Sequence, residues 1–203
     1  SISDINQVIS EQKYDPGLYM ERAFSELSNL DYRSAINDCN KALKMRMVSD
    51  NIYICKGMAE SDLNKFDSAL IDYNSGLKIN PKNEDLYVRK GMTNAAMGDY
   101  SKAVEQYNYA LKIDSGCTLA YFERASAEMQ LFKLPEALED LKKVVIYDPM
   151  DAPSYYNMGI IEADRNNYAE AITDFSKVLV LNPDNIQALY NRAQLKYSMH
   201  DYH

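Results

Sequence analysis

Apolar residues recur along the chain at three- and four-residue spacing, in runs that end in short polar turns. Within residues 152–185, one such stripe passes through Tyr155 and Gly159, and a second covers residues 171–181. This spacing places the apolar side chains on one face of an α-helix. Pro183 ends the second run, because proline lacks the backbone N–H and disfavours helix in the residue before it. The pattern therefore predicts two amphipathic helices joined by a tight turn.

The same two-helix pattern returns every 34 residues, without an insertion or a deletion. When the positions of a repeat are numbered from 1 to 34, we expect the first helix at roughly positions 2–14 and the second at roughly 18–30. Residues 1–15 precede the first repeat, and their Ile5 and Ile9 match the apolar stripe of a second helix, which predicts a capping helix or a half-repeat. The predicted array consists of residues 16–49, 50–83, 84–117, 118–151 and 152–185, with a partial repeat at 186–203.

Small residues occupy two positions in every repeat. Position 8 is always Gly or Ala, and position 20 is always Ala, as at Ala69, Ala103 and Ala137. Two helices can cross closely only where a side chain is no larger than a methyl group, so both positions predict helix crossings. Large residues at positions 4, 17 and 24 are expected to fill the space on either side.

The 34-residue period, the small residues, Tyr at position 4 and Pro81, Pro149 and Pro183 at position 32 resemble the tetratricopeptide repeat (TPR) family. The resemblance covers residues 16–203. It implies an all-α fold, an α-α superhelix or solenoid of antiparallel helix pairs, and a protein-interaction function. The chain departs from the family pattern in having Tyr where Trp is usual at position 4.

A second pattern is electrostatic. Position 7 is basic in five of the six repeats, and position 23 is Asp in four of five. Antiparallel helices that turn near position 15 place these positions side by side. We therefore predict partly buried ion pairs, although charges that bind a ligand are the alternative. The predicted pairs are Arg22–Asp38, Lys56–Asp72 and Arg124–Asp140.

Composition narrows the range of partners. The formal net charge is −8, and no basic run or stripe is present, so nucleic-acid binding is not expected. No apolar run reaches the roughly 18 residues of a membrane span. The three cysteines, Cys39, Cys55 and Cys117, show no metal-binding spacing and favour a reducing compartment such as the cytoplasm. The periplasm stays open as an alternative if a leader precedes Ser1.

Catalytic chemistry is not expected. The two histidines, His200 and His203, lie at the end of the sequence, where a loose metal-ligand spacing is interpreted as incidental. No glycine-rich phosphate-binding loop occurs. We therefore expect no catalytic site, no metal and no cofactor.

The resemblance implies that the first helices line a concave groove, mainly through positions 2, 5, 6, 9, 12 and 13. In this sequence those positions are largely apolar and rich in Met and aromatic residues, which suit a peptide or helix of a partner protein. The alternative is that positions 5 and 9 pack between neighbouring first helices. The candidate groove residues are Met20, Phe24, Ile54, Met58, Val88, Arg89, Met92, Phe122, Met129, Tyr156, Asn157, Ile160, Tyr190, Asn191 and Gln194.

One ligand class of the family can be tested on these residues. Family members that hold the acidic tails of chaperones use Lys, Asn and Arg side chains at defined groove positions. Only Asn157 matches that pattern here, and Arg89 is misplaced. The resemblance therefore does not extend to chaperone-tail binding.

Two functions remain at this point: a scaffold that binds a protein partner, or a targeting or regulatory module of a larger enzyme. The last repeat has no second helix, so we expect the sequence to be part of a longer array. Leu189, Ala193 and Tyr197 would then lack their usual cover, which predicts self-association at this end.

Overall fold

The computed structural model describes residues 2–12 and 14–200, and these form α-helices and turns without a β-strand. The all-α prediction is confirmed. Residues 201–203, including His203, lie outside the described part. The helices are α1 (Ile2–Glu11), α2 (Pro16–Ser28), α3 (Tyr32–Lys44), α4 (Asp50–Asp62), α5 (Phe66–Ile79), α6 (Glu84–Ala96), α7 (Tyr100–Ile113), α8 (Thr118–Gln130), α9 (Leu134–Tyr147), α10 (Ala152–Asp164), α11 (Tyr168–Leu181) and α12 (Ile186–His200).

The helix ends follow from local chemistry. Each first helix starts at position 1 and each second helix at position 17, one residue before the positions expected from the sequence. Polar residues cap several starts, as where Asp151 Oδ2 accepts the Ser154 N–H at 2.8 Å. Every turn within a pair has its position-15 residue in the left-handed region, at Leu30, Asn64, Gly98, Phe132 and Asn166.

The chain divides into two compact units, Ser1–Asp114 and Ser115–His203. In the first unit the pairs α2/α3, α4/α5 and α6/α7 pack consecutively, and α1 packs on α2. Ile5 and Ile9 of α1 are buried, and Asn6 Oδ1 accepts a hydrogen bond from Arg22 Nη1 at 2.6 Å. The core of this unit is formed by alanine crossings with large neighbours such as Ile52, Tyr73, Leu86 and Tyr107.

In the second unit the pairs α8/α9 and α10/α11 pack consecutively, and α12 packs on α11. One cluster surrounds Leu141 and Ile161, and another surrounds Phe175 and Val178. Ala137 and Ala171, at position 20, are fully buried, as are Ala35, Ala69 and Ala103 in the first unit. The predicted helix crossings are therefore confirmed.

Position 8 is matched to position 24 across the pair. A Cβ added to Gly57 would lie 2.5 Å from Tyr73 Cε1, and one added to Gly159 would lie 2.9 Å from Phe175 Cε1. Both distances are shorter than carbon atoms can approach. Where position 8 is Ala, at Ala23 and Ala125, position 24 carries no ring and is Cys39 or Leu141. The choice between Gly and Ala thus follows the size of the facing side chain.

Candidate peptide-binding surface

Three of the candidate groove residues in the first unit are part of the core. Met20, Ile54 and Val88, all at position 5, are only 6, 7 and 1% exposed. They cannot offer a side chain to a ligand without rearrangement, so they are removed from the candidate surface. At these three residues the alternative stated from the sequence applies, because position 5 packs between neighbouring first helices.

The other predicted residues of the first unit are accessible. Phe24 and Met92 are exposed, while Met58 and Arg89 are half-buried. Met58, Arg89 and Met92 line a small cavity of about 80 Å³ between α4 and α6. Arg89 is not a free cation, because its Nε donates to Asp85 Oδ2 at 3.2 Å. The other lining residues are Ser61, Asp62, Tyr73 and Thr93.

In the second unit the predicted residues are all partly or fully accessible. Tyr190 and Gln194 are exposed, and Asn191 donates a hydrogen bond from Nδ2 to Tyr156 Oη at 3.3 Å. Phe122 and Met129 are half-buried against the cluster of α8, α9 and α10. On α10 the predicted residues Tyr156, Asn157 and Ile160 are also half-buried.

Two pockets at equivalent repeat positions lie beside the N-terminal ends of α8 and α10. The Phe122 pocket, about 230 Å³, is lined by Thr118, Leu119, Phe122, Val144, Asp148, Asp151 and Pro153. The Tyr156 pocket, about 330 Å³, is lined by Phe122, Ala152, Pro153, Tyr156, Asn157, Asn182 and Asn185.

The aromatic residue and the two turn residues of the first pocket return 34 residues later in the second. Phe122 is the aromatic wall of the first pocket, and Tyr156 takes the equivalent place in the second pocket, which Phe122 also lines. The turn residues differ in charge, because Asp148 and Asp151 are replaced by Asn182 and Asn185. The repeat therefore produces two similar cavities with one acidic and one neutral mouth.

A third cavity in this unit, about 260 Å³, lies between the C-terminal half of α10 and α12. Its lining includes the predicted residues Ile160, Asn191 and Gln194, together with Asp164 and Phe175. Three repeats earlier, the same positions line the 80 Å³ cavity of the first unit. Cavities thus recur at fixed repeat positions on the first helices.

Two models of one known protein family match the repeated helix pairs. A family model described as tetratricopeptide repeat matches residues 152–185, which coincide with the fifth predicted repeat. A second model of the same description matches residues 88–154. Residues 88–185 therefore match the tetratricopeptide repeat family, and the twelve described helices fit a TPR array.

Solved structures agree with the TPR fold. YrrB, described as a TPR protein with an unusual peptide-binding site, has a TM-score of 0.72 and 22% identity, covering 95% of this chain and 100% of YrrB. PilF from Pseudomonas aeruginosa has a TM-score of 0.82 and 14% identity, covering 92% of this chain and 85% of PilF. Yeast Tom70 has a TM-score of 0.80 and 17% identity, covering 98% of this chain and 43% of Tom70.

No curated protein sequence matches the TPR chain significantly. In the described residues, no helix combines the length and apolar character that a membrane span requires. Among the same residues, no cluster of three or more potential metal ligands is present.

The predicted ion pairs between positions 7 and 23 of the TPR pairs are confirmed. Arg22 Nη2 donates to Asp38 Oδ1 at 2.9 Å, and Lys56 Nζ lies 2.9 Å from Asp72 Oδ2. Arg124 does the same for Asp140, with Nη2 donating to Oδ1 at 2.7 Å. All three aspartates are buried, so these charges hold the helices together and are not available to a ligand.

A buried glutamate at position 11, which the sequence reasoning missed, completes each of these groups. Desolvation, followed by the charge of the nearby aspartate, raises the pKa of Glu26 and of Glu128 to about 7. Desolvation also raises the pKa of Glu60 to about 7, with the hydrogen bond to Asp72 as the next cause. Each group therefore places two carboxyl groups beside a cation, with Lys41 as a second cation at Asp38. The glutamate keeps its proton at mildly acidic pH and releases it around neutral pH.

Two TPR pairs depart from this pattern. In α6/α7 both carboxyl groups are replaced by amides, Asn94 and Gln106, and desolvation lowers the pKa of Lys90. In α10/α11 the cation is replaced by Met158, and desolvation together with Glu162 raises the pKa of Asp174 to about 6. The cation and the two acids thus vary from repeat to repeat, while the apolar crossings do not.

The sequence reasoning also missed the turn residues at positions 31 and 34, which form the mouths of the Phe122 and Tyr156 pockets. Their signal was the regular spacing of Asp148, Asp151, Asn182 and Asn185 around the turns between repeats. Position 13, with Asp62 and Asp164, lines both of the other first-helix cavities. Position 13 is one of the predicted groove positions, although Asp62 and Asp164 are not among the candidate residues named from the sequence.

Proposed function

We propose that this TPR chain is a non-catalytic interaction scaffold that binds a peptide segment of a partner protein along the first helices of the second unit. The observation that carries the proposal is the pair of repeat-equivalent pockets around Phe122 and Tyr156. Consecutive pockets with repeat-equivalent lining residues suit a peptide that offers side chains at regular intervals. Half-buried aromatic residues at their walls provide the type of anchor that dominates peptide affinity.

Interior residues of this surface are fixed before a ligand arrives. Phe122 and Met129 pack on the cluster that contains Ala125 and Leu141, and Tyr156 packs edge-on against Phe175 at a centroid distance of 5.6 Å. A surface held in place by core contacts loses little side-chain freedom on binding. Peptide binding to this surface therefore costs less conformational entropy than binding to a surface that must first become ordered.

The test is a selection of short random peptides on the wild-type chain, followed by affinity measurements on variants. We expect the double variant Phe122→Glu/Tyr156→Glu to bind the selected peptides about tenfold more weakly or worse, because it removes both anchors. Ile146→Glu is the matched control, since Ile146 is 73% exposed on the second helix α9. Circular dichroism establishes that the helices are retained. Undiminished binding by the double variant would place the site elsewhere.

Self-association through α12 is a separate proposal. Leu189 is 42% exposed and Tyr197 is 71% exposed, so an apolar stripe of this helix is open to a second copy. Sedimentation should show concentration-dependent dimers that Leu189→Lys abolishes. A chain that remains monomeric at high concentration would refute self-association through α12, and the proposal of a peptide-binding surface would be unaffected.

A further inference from the structure

We propose that the partner segment is basic, and that a Lys or Arg side chain of the partner occupies the Phe122 pocket with its charged group at Asp148 and Asp151. The inference rests on the proposed function and adds the chemical class of the partner. The hydrocarbon part of this side chain would contact the apolar walls of the pocket, and its charged group would pair with the two aspartates at the mouth.

The charge distribution of the second unit supports a basic partner. Residues 115–203 contain eight Lys and Arg and thirteen Asp and Glu, a net charge of −5. Among the described residues, no Lys or Arg lines the Phe122 pocket, the Tyr156 pocket or the cavity between α10 and α12. The basic residues of the unit lie instead on the second helices, in turns, or at helix positions that face a second helix, as with Arg124 and Arg192.

The two aspartates at the Phe122 pocket have capacity for a ligand cation. Asp148 Oδ1 accepts the Met150 N–H at 3.0 Å, and Asp151 Oδ2 accepts the Ser154 N–H at 2.8 Å. Neither forms an ion pair with a described residue. The second carboxylate oxygen of each is therefore open to a further donor, and a cation there would be the first to balance their charge.

The walls of the pocket suit the hydrocarbon part of a long basic side chain. Leu119 is 43% exposed, Phe122 is half-buried, and Val144 forms a buried floor. The volume of about 230 Å³ accommodates a side chain of this length. Lys and Arg bury their methylene groups on apolar surface while the charged group stays at the polar edge, which is the arrangement that this pocket presents.

The neighbouring repeat provides an internal reference. At the Tyr156 pocket the same two turn positions are Asn182 and Asn185, and Asn185 Oδ1 caps α12 by accepting the Ala188 N–H at 2.9 Å. The fold therefore accepts Asn where the Phe122 pocket has Asp. Because Asn and Asp cap helices equally well, Asp148→Asn/Asp151→Asn removes the charge and keeps the cap. The reverse change, Asn182→Asp/Asn185→Asp, adds an acidic mouth to the second pocket and leaves Asp148 and Asp151 in place.

The experiment uses three display libraries of random peptides that share length and apolar content. Their remaining positions are drawn from Lys and Arg, from Asn and Gln, or from Asp and Glu. We expect the basic library to yield binders of the wild-type chain that Phe122→Gln weakens, because this change removes the ring without adding a charge that would attract the cation. Asp148→Asn/Asp151→Asn should weaken them roughly five- to tenfold. Added salt should weaken the wild-type complex more than the variant complex. The Asn182→Asp/Asn185→Asp variant should bind them at least as tightly as the wild type.

Each other outcome has a defined meaning. If the neutral library binds as tightly as the basic one and the binding requires Phe122, the peptide surface is correct and the basic partner is wrong. Preference for the acidic library, or full binding of basic peptides by Asp148→Asn/Asp151→Asn, also overturns the inference. If no library yields binding that depends on Phe122, the proposed function itself fails. Unfolding temperatures of both Asp/Asn variants confirm that any loss is not caused by misfolding.

Discussion

At the scale of single residues, the fold depends on the match between position 8 and position 24. Three pairs combine Gly with an aromatic ring, and two combine Ala with Cys or Leu. Each combination fills the crossing without overlap, because the methyl group and the ring occupy the same space. This local match explains why one position of the repeat alternates between two small residues.

The match predicts a strong coupling between Gly57 and Tyr73. Gly57→Ala alone should destabilise the chain by about 1–3 kcal/mol through overpacking, although alanine favours the helix by about 1 kcal/mol. In the background of Tyr73→Leu, which reproduces the Ala125–Leu141 combination, the same change should be neutral or stabilising. Urea unfolding of the four proteins measures the coupling, which should reach about 1 kcal/mol or more. Additive effects would show that the ring does not limit position 8.

At the scale of helix pairs, stability depends on pH through the buried carboxyl groups. In α4/α5 the pKa of Glu60 is raised from 4.5 to about 7, first by desolvation and then by Asp72. The folded pair therefore binds a proton more tightly than the unfolded chain does. Its contribution to stability is fully present below pH 4.5 and is lost as the pH rises through about 7. Glu26 and Glu128 act in the same direction in their own pairs.

We therefore expect the unfolding free energy to fall between about pH 5 and about pH 8. Glu60→Gln should reduce this slope, and it should be more stable than the wild type at the upper pH, because no buried charge forms. Glu105→Gln, on the exposed surface of α7, controls for the loss of one negative charge. Denaturant titrations across this range provide the measurement. Equal slopes in the wild type and Glu60→Gln would contradict the assigned role of Glu60.

The helix pairs also show how far sequence reasoning reaches. The 34-residue period was enough to predict the crossings and the pairs such as Arg22–Asp38, because equivalent residues have equivalent neighbours within a pair. It could not predict exposure in the groove. Val88 is buried while Tyr190, at the same position 5, is 66% exposed. Exposure depends on side-chain size and on the neighbouring helices, which a repeat position does not specify.

At the scale of the whole molecule, a TPR array combines regular packing with variable surface chemistry. The two units carry the same helix pairs but different first-helix surfaces. In the first unit, Arg89 lines a small cavity, and in the second unit larger pockets have acidic or neutral mouths. The net charge of −8 adds long-range attraction for a basic partner. Under the proposed function, a partner peptide binds on the first helices of the second unit, beside the turns that precede α10 and α12.

The most direct test of this claim is a nuclear magnetic resonance titration of the labelled chain with a basic peptide selected from the library. We expect the amide shifts to change on α8 and α10 and in the turns at residues 148–151 and 182–185. Ile146 and Val180, exposed on the second helices α9 and α11, should not change. Shift changes concentrated on α9 and α11, with α8 and α10 unaffected, would show that the peptide does not bind to the first helices.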